Sequence, residues 1–141
     1  MKMKKFIIIL LSCMVVIVSA GCGTKNIKTP DLPDKDKVTS IEISNSDNKN
    51  GVIINRGIVS NKIITNIKKA IKESDGKGDE STDDVPKNVD KFFTVSIFSD
   101  KEKPDVFCFY EKKGNKYMES PYNGIWEISD ETYNKIMKLI G

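Results

Sequence analysis

Histidine is missing from the 141-residue chain, and arginine occurs once, at Arg56. Without an imidazole the Ser-His-Asp arrangement of hydrolases is excluded, and zinc loses its usual nitrogen ligand. Cysteine is scarce, at Cys13, Cys22 and Cys108, and tryptophan appears once, at Trp126. There is one long apolar run, the 13 residues from Phe6 to Val18, which falls short of the ~20 residues that span a bilayer as a helix.

That run has a different use. Three lysines stand in Met1–Lys5 before it, and Ser19, Ala20 and Gly21 follow it, the charged, apolar and small-residue order of a secretory signal. Ser19-Ala20-Gly21-Cys22 resembles the lipobox of bacterial lipoproteins, with Ser19 where leucine is usual. The resemblance implies cleavage after Gly21 and a diacylglyceryl group on the Cys22 sulfur. Acyl chains contribute ~0.8 kcal/mol per buried methylene, so two of them give a stable anchor.

Cleavage would alter the charge balance. Lys2, Lys4 and Lys5 leave with the signal, so residues 22–141 carry 20 basic and 20 acidic side chains. A neutral domain offers no basicity for nucleic acid or an anionic surface. The excess of lysine over arginine, with abundant Asn and Ile, looks like the bias of a low-GC Gram-positive genome, and a lipoprotein there occupies the extracytoplasmic face of the cell membrane. Cys108 would be the only free thiol, so no internal disulfide forms. In Val106-Phe107-Cys108-Phe109-Tyr110 it reads as a small buried hydrophobe rather than a reactive thiol.

The organisation expected is a signal peptide at 1–21, a flexible tether at 22–37 and one globular domain at 38–141. Gly23–Lys37 is rich in Lys, Asp, Pro and Thr, and its 15 residues at ~3.5 Å each would reach about 50 Å from the lipid. Beyond it, Val38–Ser44 alternates and pairs through the Asn45–Gly51 turn with Val52-Ile53-Ile54. Ser60 reads as the N-cap of a helix over 61–74, whose stripe is Ile63, Ile64, Ile67, Ala70 and Ile71. Asp75–Asp90 is an exposed acidic loop with only Val85 and Val89 to bury. Strands follow at 92–99, 105–111, 116–119 and 125–129, turned at Lys113-Gly114-Asn115 and at the two-residue turn Asn123-Gly124. Ser129 caps a last helix with Tyr133, Ile136, Met137 and Ile140 as its stripe. The fold expected is α+β: an antiparallel sheet of about six strands, in the order ββα-loop-ββββα, with two amphipathic helices packed on one face. The strand, serine and helix succession occurs twice, which also fits a weak internal duplication.

Sites for chemistry are few. Asp75, Asp79 and Asp83 recur every four residues, but Lys77, Glu80 and Pro86 break the calcium-loop pattern, so no metal or cofactor is expected. Gly76 and Gly78 do not form a phosphate loop. Glu119 and Glu127 are the one carboxylate pair to inspect for glycoside chemistry, and they read as solvent-side residues of a hairpin. The most distinctive stretch is Ser120–Ser129, SPYNGIWEIS. A turn at Asn123-Gly124 would pair Pro121 with Trp126 and put Tyr117, Trp126 and Ile128 on one face. Tyr117, Pro121, Tyr122 and Trp126 are then the candidate binding surface, a platform for a sugar or peptide; the other reading of Trp126 is a core plug.

With TSIEIS, DDVPKNVDKFF, VFCFYEKKGNKYMESPYNGIWEIS and the closing helix, residues 38–141 resemble small uncharacterised lipoproteins of clostridia and other Firmicutes that carry a domain of unknown function of the 5301 type. The resemblance implies surface attachment and a compact α+β domain, and transfers no catalytic residue. The function expected is therefore a non-enzymatic, lipid-anchored binding module whose partner is an envelope protein or cell-wall component. The alternatives are a cell-wall-acting enzyme and a small-ligand receptor accessory to a transporter.

Overall fold

The computed structural model describes residues 25–27, 29–75 and 77–141. The signal segment and Cys22 lie outside the described residues. Strands β1 (Lys25–Asn26), β2 (Ser40–Asn45) and β3 (Val52–Asn55) precede helix α1 (Ile58–Glu73). Then come β4 (Lys77–Gly78), β5 (Phe92–Phe98), β6 (Asp105–Lys112), β7 (Asn115–Ser120), β8 (Gly124–Ile128) and helix α2 (Asp130–Ile140). Six strands make one antiparallel sheet in the order β3-β2-β5-β6-β7-β8. The fold is α+β, with a six-stranded antiparallel sheet and two helices. No described helix is long and apolar enough to cross a membrane.

Helix α1 carries the chain from one edge of the sheet to the other. Its 16 residues span ~24 Å at 1.5 Å each, and the five steps from β3 to β8 span about the same at ~4.8 Å each. It contacts both β3 and β8. Beyond it, β4 pairs antiparallel with β1, and Asp79 bridges to Ile125 of β8. Residues 80–91 then return the chain to β5, in the middle of the sheet.

Register decides the core. Ile43, Val95 and Phe107 stand opposite one another across three strands, as do Phe109, Met118 and Trp126, so each row shares a face. Both rows belong to one buried cluster with Ile63, Ile64, Ile67 and Ala70 of α1 and Ile136 of α2. Trp126 is only 1% exposed, and filling the core with the largest apolar side chain contributes roughly 3 kcal/mol.

Three local expectations are corrected. Helix α1 begins at Ile58, before Ser60, because the Ser60 hydroxyl accepts from the Gly57 N–H at 2.8 Å and donates to the Gly57 carbonyl at 2.9 Å. Ser60 thus closes the first turn from inside the helix. Ser129 does cap α2, accepting from Thr132 N–H at 3.2 Å. The stretch read as a free tether packs on the domain from Ile27 onward: Ile27 and Pro33 are buried, and Leu32 lies against the core. The acidic loop turns different residues inward than expected: Ser81 and Pro86 are buried while Val85 is exposed.

Candidate functional site

The β7–β8 connection is the structural key to the expected binding surface. Ser120 pairs with Gly124, Glu119 with Ile125 and Met118 with Trp126. Pro121, Tyr122 and Asn123 therefore form a three-residue loop, and Asn123-Gly124 is not the turn. Tyr122 takes the left-handed conformation at φ 60°, and Asn123 holds the loop through its N–H to the Ser120 carbonyl at 3.0 Å and its Nδ2 to Ser120 Oγ at 3.0 Å. Gly124 is small for another reason: a Cβ there would lie 2.5 Å from Ile27 Cγ2 and 3.0 Å from Trp126 Cζ2.

Relative to the expected pairing this register is displaced by an odd number of residues, which reverses the faces. Trp126 is a core plug. Tyr117, opposite Glu127, lies on the other face and stacks on Tyr110 with ring centroids 5.5 Å apart. Two of the four expected surface residues remain together: Pro121, half-buried, and Tyr122, 64% exposed.

Pro121 and Tyr122 line a cleft of about 460 Å³ with Pro30, Pro104, Val106 and Lys103. Three prolines and a tyrosine make its walls, side chains that lose little conformational freedom when a ligand lands on them. Asp84 and Asp105 complete the rim. The Asp84 carboxylate, which accepts from the Tyr122 hydroxyl, holds that phenol above its ordinary range, with desolvation adding to the effect. Lys101 secures the neighbouring wall, donating to the Asp105 carboxylate at 3.0 Å and to the Asp31 carbonyl at 2.6 Å.

A second polar centre lies on the Tyr117 face. Glu119 is 3% exposed and accepts from Ser81 Oγ at 2.7 Å and Tyr110 OH at 3.1 Å. The expectation of a solvent-side Glu119 is thus corrected, because Ser81 of the returning loop covers it; Glu127 is exposed. Burial, reinforced by the Glu119 charge, pushes the Tyr110 phenol up. Burial likewise pushes the Cys108 thiol up to about 11, and Cys108 packs beside Thr94 Oγ1 at 3.9 Å. The acidic loop residues are spread among different partners: Asp75 faces Lys77, Asp79 bridges to Ile125, and Asp83 pairs with Lys87 at 2.7 Å.

Sequence reasoning missed Pro30, Lys103, Pro104 and Asp84 because they come from three separate loops. The visible signal was compositional: three of the chain's five prolines meet here. Residues 26–127 match the family described as Domain of unknown function (DUF5300). The chain belongs to this family. No curated protein and no solved structure matches it. The family match begins one residue before Ile27, consistent with the packing of that residue on the domain.

Proposed function

We propose that this family member is a lipid-anchored, extracytoplasmic binding module, non-enzymatic, that takes a protein or cell-wall component in the cleft beside Tyr122. The observation that carries the binding role is the cleft itself, where rigid Pro30, Pro104 and Pro121 surround an exposed tyrosine. A preorganised wall of this kind loses little entropy on association. Asp84, Lys103 and Asp105 supply polar orientation at its rim. The anchoring role rests on the signal-like segment and on Cys22 in Ser-Ala-Gly-Cys.

Two measurements separate the two roles. Palmitate labelling and fractionation of cells carrying the wild type or Cys22→Ala test the anchor, and a Cys22→Ala protein that still fractionates with membranes overturns it. Binding to isolated envelope fractions, compared between the wild type and Tyr122→Ala, tests the cleft. A loss of about tenfold, ~1.4 kcal/mol, is expected; equal binding removes the cleft from the account.

A further inference from the structure

We infer that the domain lies flush on the bilayer through its β8 edge, with β3 pointing away, so that the cleft takes a ligand at the membrane surface. The inference rests on the lipid anchor proposed at Cys22.

Lys25 follows Cys22 by three positions, a reach of about 10 Å at most. Lys25 and Asn26 are already paired, with Gly78 and Lys77. The next residue, Ile27, is buried over Gly124 and Gly78, where an added Cβ would come within 2.5 Å and 3.0 Å of its side chain. Asp79, the residue after β4, exchanges two backbone hydrogen bonds with Ile125 of β8, at 2.9 and 2.8 Å. The anchored end is therefore fastened to one named edge of the sheet, and a stalk of about 50 Å is ruled out by where the chain is already packed.

The opposite edge is β3, five strands away, or about 24 Å. The cleft lies beside the same edge: the β7–β8 loop from Pro121 to Asn123 lines it, as does Pro30, which follows the buried Ile27 by only three positions, within about 10 Å of chain. A tether free over its whole length would have allowed any face of the domain to approach the lipid. One fastened at Ile27 selects the β8 edge.

Energy transfer in vesicles tests the orientation. The full lipidated protein, carrying Lys77→Cys or Ile53→Cys, is labelled with a donor and reconstituted with headgroup-acceptor lipids. Both positions are exposed, and the buried Cys108 does not compete for the label. The expected result is clearly stronger transfer from position 77 than from position 53. A short Gly–Ser insertion after Thr24, which leaves the packed residues unchanged, is expected to abolish most of that difference. Equal transfer from both positions in the uninserted protein, or stronger transfer from position 53, overturns flush docking while leaving the anchor intact. Failure of the lipid-processed protein to associate with vesicles overturns the anchor itself, and the docking with it.

Discussion

Ser81 donates its hydroxyl to Glu119 Oε1 at 2.7 Å, joining residues 38 positions apart in sequence. This contact binds the loop after β4 to the face of the sheet opposite Trp126. Tyr110 donates to the other carboxylate oxygen at 3.1 Å, so each oxygen of this buried acid has a hydroxyl partner.

Replacing Ser81 with Ala leaves Oε1 of a buried carboxylate without its donor. Such a loss costs about 1–3 kcal/mol. Denaturant unfolding of Ser81→Ala is expected to show a lowered midpoint, with amide exchange accelerated across residues 80–91. Unchanged stability and protection would show that the contact does not hold the loop.

Trp126→Ala removes the largest buried side chain of the core and is expected to destabilise the domain by about 3–5 kcal/mol. In the native wild type, the emission of this single tryptophan is expected to resist iodide quenching. Quenching as efficient as for free indole would place Trp126 outside the core.

The raised Cys108 thiol, from 9.0 up to about 11, gives a pH dependence of definite sign. Between those values the unfolded chain has lost the proton and the folded chain retains it, so folding stability falls as pH rises from 9.0 toward 11. The change amounts to at most ~3 kcal/mol. Cys108→Ala is expected to lose stability less steeply over this window. Parallel curves for the two proteins would contradict the burial argument. At neutral pH the native thiol should react slowly with thiol reagents and rapidly once unfolded.

Glu73 ties the helices together, accepting from Thr132 Oγ1 at 2.8 Å and Ser129 Oγ at 3.3 Å. Desolvation pushes its carboxyl up, but the hydrogen bonds from Thr132, Lys69 and Ser129 outweigh it and bring the group below its ordinary 4.5. Its contribution to stability is therefore present above pH 4.5 and lost as pH falls through the lower folded value. The stability gap between wild type and Glu73→Gln should narrow on acidification through that range. A gap that stayed constant would mean the charge does not matter.

Much of the fold was legible because it rests on local patterns. The isoleucine stripe from Ile63 to Ile71 marked helix α1, and the alternation in Phe92–Phe98 and at Ile41 and Ile43 marked two strands. Lys113 and Gly114, both at positive φ, form the expected turn. The site was less legible because it depends on register and on distant loops. The Asn123-Gly124 pair is a strong turn signal, yet Gly124 is required by the approach of Ile27, from nearly 100 residues earlier. That one displacement separated Trp126 from Tyr117. Glu119 looked exposed because nothing local shows that Ser81 returns to cover it. The early polar stretch looked like a free tether because the apolar residues that pack it on the domain, Ile27, Leu32 and Pro33, are scattered and follow no period.

The most direct test of the binding account is site-specific photo-crosslinking on intact cells, with a photoreactive phenylalanine replacing Tyr122 or, as a control, Ile53 on the far edge. A discrete adduct is expected from position 122, absent from position 53 and lost when Pro121 or Pro104 is also replaced by a bulky charged residue. No adduct at position 122, or the same adduct from both positions, would contradict it.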